Sequence, residues 1–175
     1  DKKVASLMND LKTKGFFKLD QEAVKIIKKD FCAETINDKE VLDIIKNYGG
    51  TNAAKLSLYS AGMAYYNLND FEKSIDHLKD FNSEDEILNA LALGVIGDSF
   101  AELNQLDDAL DSYRDAANSS SNKFSSPKFL LKAGNVATLL ERKSEALKYY
   151  KKIKEDYPKS IESSLIDIQI GKNSL

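Results

Sequence analysis

The sequence is poor in the residues that most often carry catalysis or crosslink a fold. Among its 175 residues there is no tryptophan, and there are one histidine, one cysteine and two prolines. A single cysteine, Cys32, excludes an intrachain disulfide. Its neighbours Phe31 and Ala33 favour a small buried side chain over a reactive thiol. The low proline and glycine content favours long helices over a sheet fold with many turns.

Arginine is also scarce, because Arg114 and Arg142 are the only two, and the formal net charge is −3. Arginine guanidinium groups are the usual hydrogen-bond donors to phosphates and bases, so the scarcity of arginine and the negative net charge argue against nucleic-acid binding. No apolar run approaches the ~20 residues that a membrane-spanning helix needs. Because the first residue is Asp1 and not Met, an upstream signal peptide or membrane anchor stays open.

Three stretches repeat one pattern: "AGMAYYNLNDFEKSI" at 61–75, "IGDSFAELNQLDDAL" at 96–110 and "AGNVATLLERKSEAL" at 133–147. Each has glycine second, leucine eighth, a small residue fourteenth and isoleucine or leucine last. Apolar residues recur at steps of three and four, which predicts helices. Asn69 suits a left-handed helix end and Asp70 suits an N-cap. Each stretch is therefore predicted to be a helix, a tight turn and an antiparallel helix.

The glycines and the small residues predict where the two helices of each hairpin approach most closely. A glycine inside a helix costs roughly 1 kcal/mol relative to alanine, so a glycine at the same place in three copies implies a packing reason. We expect each glycine to receive the second helix near the small residue twelve positions later. The pairs are Gly62 with Ser74, Gly97 with Ala109, and Gly134 with Ala146.

The same positions resemble the tetratricopeptide repeat. The middle copy has the family's glycine, aromatic, small residue and aromatic at Gly97, Phe100, Ala109 and Tyr113, and the third copy ends with Pro158. The resemblance implies an all-α, right-handed solenoid of about three helix pairs, with N-terminal helices and a C-terminal capping helix. The expected domains are an N-terminal helical segment, 1–50, and a solenoid, 51–175, with repeats at about 55–88, 90–123 and 127–160 and a capping helix at 161–171.

Helix boundaries follow from local signals around the repeats. Residues 83–86, "SEDE", predict a capping box, and Ser126 predicts an N-cap followed by Pro127 at the first helical position. Ser160 is expected to cap the last helix, with Ile161, Leu165 and Ile168 on its packing side and polar residues outside. In the N-terminal segment we expect a degenerate hairpin and a linker helix that Gly49-Gly50 stops, with Thr51 capping the first repeat.

No catalytic constellation is recognisable, so the chain is predicted not to be an enzyme and to need neither cofactor nor metal. His77 lacks companion ligands at a recognisable spacing and is expected at the surface or in packing. The acids Asp107, Asp108 and Asp111 begin a helix, where they are expected to complement its dipole. No phosphate-binding loop and no nucleophile elbow occurs in the sequence.

The family resemblance implies a concave binding face built from the first helix of each pair, with a protein or peptide as partner. Aromatic and methionine side chains in the first copy favour adaptable peptide contacts. An equal alternative is that the chain's own terminal helices pack on this face. The candidate residues are Leu56, Tyr59, Met63, Tyr66, Asn67, Asp98, Glu102, Asn135 and Thr138.

Longer stretches, such as "YGGTNAAKLSLYSAGMAYYNLNDFEKSIDHLKDF" at 48–81, are similar to membrane-anchored bacterial envelope proteins of the type that includes the ancillary subunit of the Sec translocon. This resemblance implies a periplasmic scaffold tethered by an anchor that is absent from this chain. The alternatives are a soluble cytoplasmic adaptor, an oligomerisation module, and a small-ligand binder or enzyme using the concave face. Residues 1–29 carry eight lysines and four acids, which suits a solvated helix or an anionic membrane surface.

Overall fold

The computed structural model of the chain describes residue 43, residues 45–119 and residues 122–173. The predictions for Cys32, for the basic stretch 1–29 and for most of the N-terminal segment lie outside the described residues. The chain divides into two units, Asp1–Ala61 and Gly62–Leu175, each described by itself.

The first unit ends with a turn and the start of helix α1, Asn52–Asn67. Residues 45–47 are helical, and Gly50 adopts a left-handed φ of 80°, a conformation that glycine reaches without steric cost. The Thr51 hydroxyl oxygen accepts a hydrogen bond from the Ala54 amide at 3.2 Å. The predicted stop at Gly49-Gly50 and the predicted Thr51 cap are therefore confirmed.

The second unit contains the end of α1 and a series of further helices with no strand among the described residues. They are α2 (Phe71–Lys79), α3 (Glu86–Glu102), α4 (Leu106–Ser119), α5 (Ser126–Leu139), α6 (Lys143–Asp156), α7 (Ile161–Leu165) and α8 (Asp167–Asn173). From α2 to α6 each helix packs on the next one along the chain, and α7 and α8 both pack on α6. This consecutive packing confirms the prediction of an all-α solenoid of helix pairs.

The three repeat glycines lie at equivalent close approaches, but their nearest neighbours differ from the prediction. A Cβ built on Gly97 would lie 2.6 Å from Cε1 of Tyr113, and one on Gly62 or Gly134 would come closer than 3.0 Å to Leu78 or Tyr150. Each neighbour is sixteen residues after its glycine. The small residues twelve positions on are fully buried, but none of their atoms is among the three nearest to the built Cβ: Ser74, Ala109 and Ala146. The glycine makes room for a large side chain of the second helix.

The turn within each hairpin also repeats. Asn69, Asn104 and Glu141 adopt left-handed φ angles of 60°, 57° and 58°, and each is seven residues after its repeat glycine. The Asp70 carboxylate accepts from the Lys73 amide at 3.4 Å, so the predicted Asn-Asp turn and cap are confirmed. Glutamate has no preference for the left-handed region, whereas asparagine tolerates it.

Two predicted N-caps are one or two residues away from the observed ones. Helix α3 begins after Asp85, whose carboxylate accepts from the amides of Ile87 and Leu88 at 2.8 and 3.2 Å, and Ser83 instead accepts from the Asp85 amide. Helix α5 has Ser125 as its N-cap residue, and the predicted cap Ser126 is inside the helix. Adjacent Ser and Asp residues all satisfy the capping preference, so the sequence alone does not select among them.

The C-terminal prediction is the largest error. The expected single helix breaks at Ile166, which is completely buried, while Ile161, Leu165 and Ile168 are 78%, 59% and 70% exposed. The Ser160 cap is confirmed, because its hydroxyl oxygen accepts from the Ser163 amide at 3.1 Å. The break changes which residues face the core, so the outer side of α7 and α8 has three exposed apolar side chains beside polar ones such as Ser164 and Asp167.

Candidate functional site

The predicted residues of the first copy lie along helix α1. Leu56 and Tyr59 belong to the first unit and are half-buried, and burial raises the pKa of the Tyr59 hydroxyl. In the second unit, Met63 and Tyr66 are half-buried and Asn67 is exposed. The Tyr66 ring packs edge-on against Phe71, with ring centroids 5.8 Å apart and an interplanar angle of 62°. This contact fixes the orientation of Tyr66 beside the turn into α2.

In the second copy, Asp98 joins three helices. The Tyr113 hydroxyl of α4 donates a hydrogen bond to Asp98 Oδ1 at 2.6 Å, and Lys132 of α5 forms an ion pair with the same oxygen. The Lys132 ammonium also lies 5.3 Å from the centre of the Tyr113 ring, within the range of a cation–π interaction. The side chains of Asp98 and Lys132 are 23% and 30% exposed. We call Asp98, Tyr113 and Lys132 the Asp98 cluster.

Burial is the largest cause of the raised pKa of Tyr66 and of Tyr113, and the charges of Asp98 and Glu102 add to it. The pKa of Tyr113 is raised far above its usual range, first by burial and then by its hydrogen bond to Asp98 and the charges of Asp98 and Glu102. The pKa of Tyr66 is raised by burial and by the same two carboxylates. Glu102 is exposed and four residues after Asp98 on α3, and it forms no ion pair with any described residue.

The third copy has the same arrangement without charge. The Tyr150 hydroxyl donates to Asn135 Oδ1 at 3.0 Å, as Tyr113 donates to Asp98 in the copy before. Thr138 Oγ1 lies 3.2 Å from the Tyr150 hydroxyl and 3.3 Å from Oδ1 of Asn173, which is buried near the end of α8. Burial raises the pKa of Tyr150. The C-terminal helix thus reaches a residue that the sequence assigned to the binding face.

Two members of the Asp98 cluster, Tyr113 and Lys132, were not among the residues predicted for the binding face. Tyr113 carried a signal, because it is the aromatic residue sixteen positions after a repeat glycine. No sequence signal indicated Lys132, because lysines are frequent in this chain and Lys132 is 34 residues away from its partner Asp98. The binding role of the predicted residues stays a prediction.

The other singled-out residues make structural contacts. The His77 ring stacks on the Tyr65 ring with centroids 5.3 Å apart and planes 4° from parallel. Asp107 pairs with Arg142 of the next copy, and Asp111 lies 2.7 Å from Arg114. In the part of the chain that the structure describes, no group of three or more His, Cys, Asp or Glu side chains could hold a metal ion. Among those same residues, no helix combines the length and the apolar character needed to cross a membrane.

Comparison with known proteins identifies two of the three copies. The family model described as "Tetratricopeptide repeat" matches residues 56–85 and 129–160. No curated protein matches the chain, so the narrower similarity to envelope proteins rests on the sequence stretches alone. The middle copy lies between the two matched segments and has the same glycine–tyrosine contact and left-handed turn as the third. These findings support a protein built from tetratricopeptide repeats.

Proposed function

We propose that this chain is a non-enzymatic scaffold that binds a segment of a partner protein along the first helices of its repeats. The observation that carries the proposal is the repeated presentation of a polar group directly after the repeat glycine. Asp98 and Asn135 occupy this position in successive copies, and each is held by the tyrosine sixteen residues after the glycine. Rigid repeats that present side chains at regular intervals suit the recognition of an extended chain.

The second-unit end of α1 adds apolar contact area to this face. Met63 and Tyr66 are half-buried and three residues apart, so they lie on the same side of the helix. Methionine adapts to irregular partner surfaces, and tyrosine is among the residues that most often anchor protein interfaces. A partner segment is therefore expected to gain most of its contact energy from Met63 and Tyr66, with hydrogen bonds to the polar positions setting its register.

A double variant tests this proposal. Met63→Ala with Tyr66→Ala should weaken partner capture by at least about 2 kcal/mol and leave the far-UV helical signal unchanged. Capture is measured by crosslinking the full chain in native extracts and quantifying the recovered proteins by mass spectrometry. The matched control is Lys148→Ala with Lys151→Ala, two exposed residues three apart on α6. Unchanged capture by the first variant, or its unfolding, would mean that these two side chains do not form the binding face.

We propose that the protein is located in the bacterial envelope. The repeats would lie on the periplasmic side, and an anchor in the full-length protein would hold them at the membrane. Its support is the similarity of the stretch 48–81 to anchored envelope proteins and the basic character of residues 1–29. Protease treatment of spheroplasts that contain the full-length protein distinguishes the alternatives. Digestion without lysis is expected for a periplasmic domain, whereas protection until lysis would indicate the cytoplasmic adaptor.

A further inference from the structure

The Asp98 cluster already contains one bound ammonium group, which belongs to the chain itself. Lys132 is paired with Asp98 and lies over the face of Tyr113, so a carboxylate and a phenol ring act on the cation together. Ion pairing and the ring quadrupole both attract an ammonium, and their attraction is larger in a partly buried position than in bulk water. The position of Lys132 thus shows that this surface accommodates an ammonium group between a carboxylate and a phenol ring.

A second carboxylate near the Asp98 cluster, that of Glu102, has no lysine or arginine of the described residues as an ion-pair partner. Glu102 follows Asp98 by one helical turn, is exposed, and pairs with no described residue. Tyr66 is close enough to both carboxylates for them to raise its pKa, and Phe71 fixes its ring. Lys132 pairs with Asp98, whereas the negative charge of Glu102 has no ion-pair partner in the described part of the chain.

We propose that the face formed by Tyr66, Glu102 and the Asp98 cluster selects partner segments that carry a lysine or arginine next to an apolar residue. The proposal rests on the function proposed above and specifies the chemical class of the partner. The basic side chain pairs with Glu102 across the Tyr66 ring, beside the position that Lys132 occupies. The neighbouring apolar residue contacts Met63, which is one turn before Tyr66 on α1. An acidic segment would meet like charge at the same place.

Selection from a random peptide library tests the proposal directly. Phage-displayed twelve-residue peptides are selected on the immobilised full chain, and the residue composition of the enriched peptides is compared with that of the library. We expect enrichment of lysine or arginine beside a large apolar residue. One enriched peptide, synthesised with a fluorophore, is then titrated against the chain and its variants by fluorescence anisotropy.

The decisive variant is Glu102→Lys, with Glu155→Lys as the matched control. Both residues are exposed glutamates in the last turn of a helix, so the two substitutions change net charge and helix-end electrostatics alike. Glu102→Lys should weaken peptide binding at least about 10-fold and Glu155→Lys less than about 2-fold at low salt. The neutral Glu102→Gln should fall between them, and added salt should reduce the difference.

The outcomes separate this inference from the function on which it rests. Enriched peptides that lose affinity with Met63→Ala and Tyr66→Ala but lack basic residues would overturn the charge preference and leave the scaffold function standing. Basic peptides that bind Glu102→Lys as tightly as the unchanged protein would also overturn it. A library that yields no peptide dependent on Met63 or Tyr66 would contradict both proposals together. Basic peptides that lose affinity with Glu102→Lys, but keep it with the control Glu155→Lys, would support the inference.

Discussion

The second and third repeats share one arrangement of three residues but differ in the charge of one of them. Both have a glycine, a polar residue directly after it, and a tyrosine sixteen residues after the glycine that donates to that polar residue. In the second repeat the polar residue is Asp98 and a lysine neutralises it. In the third it is Asn135, and no charge is involved. The glycine and the tyrosine are the same in both repeats, so the charge of this contact is set by the residue directly after the glycine.

The first repeat has the least polar version of this arrangement. Leu78 replaces the tyrosine and Met63 replaces the polar residue, so no hydrogen bond of this kind can form there. The surface therefore changes along the chain from apolar, to charged, to neutral and polar. This order explains why charge selection is expected at the second repeat.

The largest expected effect on stability comes from a substitution at a repeat glycine, which disrupts the shared arrangement. Gly97→Leu would place a branched side chain where even a Cβ lies 2.6 Å from Tyr113, and we expect a loss of about 3 kcal/mol or more in the free energy of unfolding. Lys143→Leu should change it by less than about 0.5 kcal/mol, because Lys143 is exposed at the start of α6. Urea denaturation followed by circular dichroism measures both values.

Alanine at the three repeat glycines sharpens that result. Gly97→Ala and Gly134→Ala meet tyrosine rings, whereas Gly62→Ala meets the side chain of Leu78, which can change rotamer. The first two variants should therefore lose more stability than the third. Equal losses at all three positions would show that the tyrosine is not what makes the glycine necessary.

The difference between the charged and the neutral repeat should appear at alkaline pH. Burial and Asp98 hold the pKa of Tyr113 far above 10.0, so the folded chain keeps a proton that the unfolded chain releases as the pH rises past 10. The unfolded state then binds fewer protons than the native state, and stability must fall with increasing pH. Tyr113→Phe should flatten this fall more than Tyr150→Phe, because no carboxylate adds to burial in raising the pKa of Tyr150.

Denaturation midpoints of the two variants, measured between pH 8 and pH 11, provide this test. The comparison uses the slope and not the absolute stability, since each variant also loses a hydrogen bond at neutral pH. Identical slopes for the two phenylalanine variants would contradict the electrostatic contrast between the repeats.

The smallest expected effect is a gain. Glu141 has a φ of 58° at the turn of the third repeat, where the first two repeats have asparagine. Glu141→Gly should raise stability by about 0.5–1 kcal/mol, because glycine relieves the left-handed strain. Asn104→Gly should change it by only a few tenths of a kcal/mol, because asparagine already tolerates this conformation. A calorimetric midpoint for each variant decides the matter, and a lower midpoint for Glu141→Gly would show that the glutamate side chain stabilises the turn.

Local signals made much of the fold predictable. Three copies of one spacing gave the hairpins, and the Asn69-Asp70 turn and the Ser160 cap depend only on residues close in sequence. The C-terminal helix was wrong because its break at Ile166 comes from tertiary packing. Ile161, Leu165 and Ile168 have the apolar spacing of one helix face, but in the structure Ile166 is buried and these three side chains are exposed.

The candidate site was predictable to a smaller extent. Asp98 and Asn135 were identified through the concave face that the family resemblance implies, and they make equivalent contacts with the tyrosines Tyr113 and Tyr150. Lys132 and Asn173 were not identifiable, since each meets its partner across more than thirty residues.

The constant internal spacing of the hairpins has a consequence for insertions and deletions. From glycine to left-handed residue there are seven positions in every copy, and from glycine to its large neighbour there are sixteen. The spacing between copies varies instead, because the glycines are 35 and then 37 residues apart. The three copies therefore differ in length between the hairpins and not between the glycine and its large neighbour. The segments after α2 and after α4 are therefore where an inserted tag or reporter domain should leave the repeats intact.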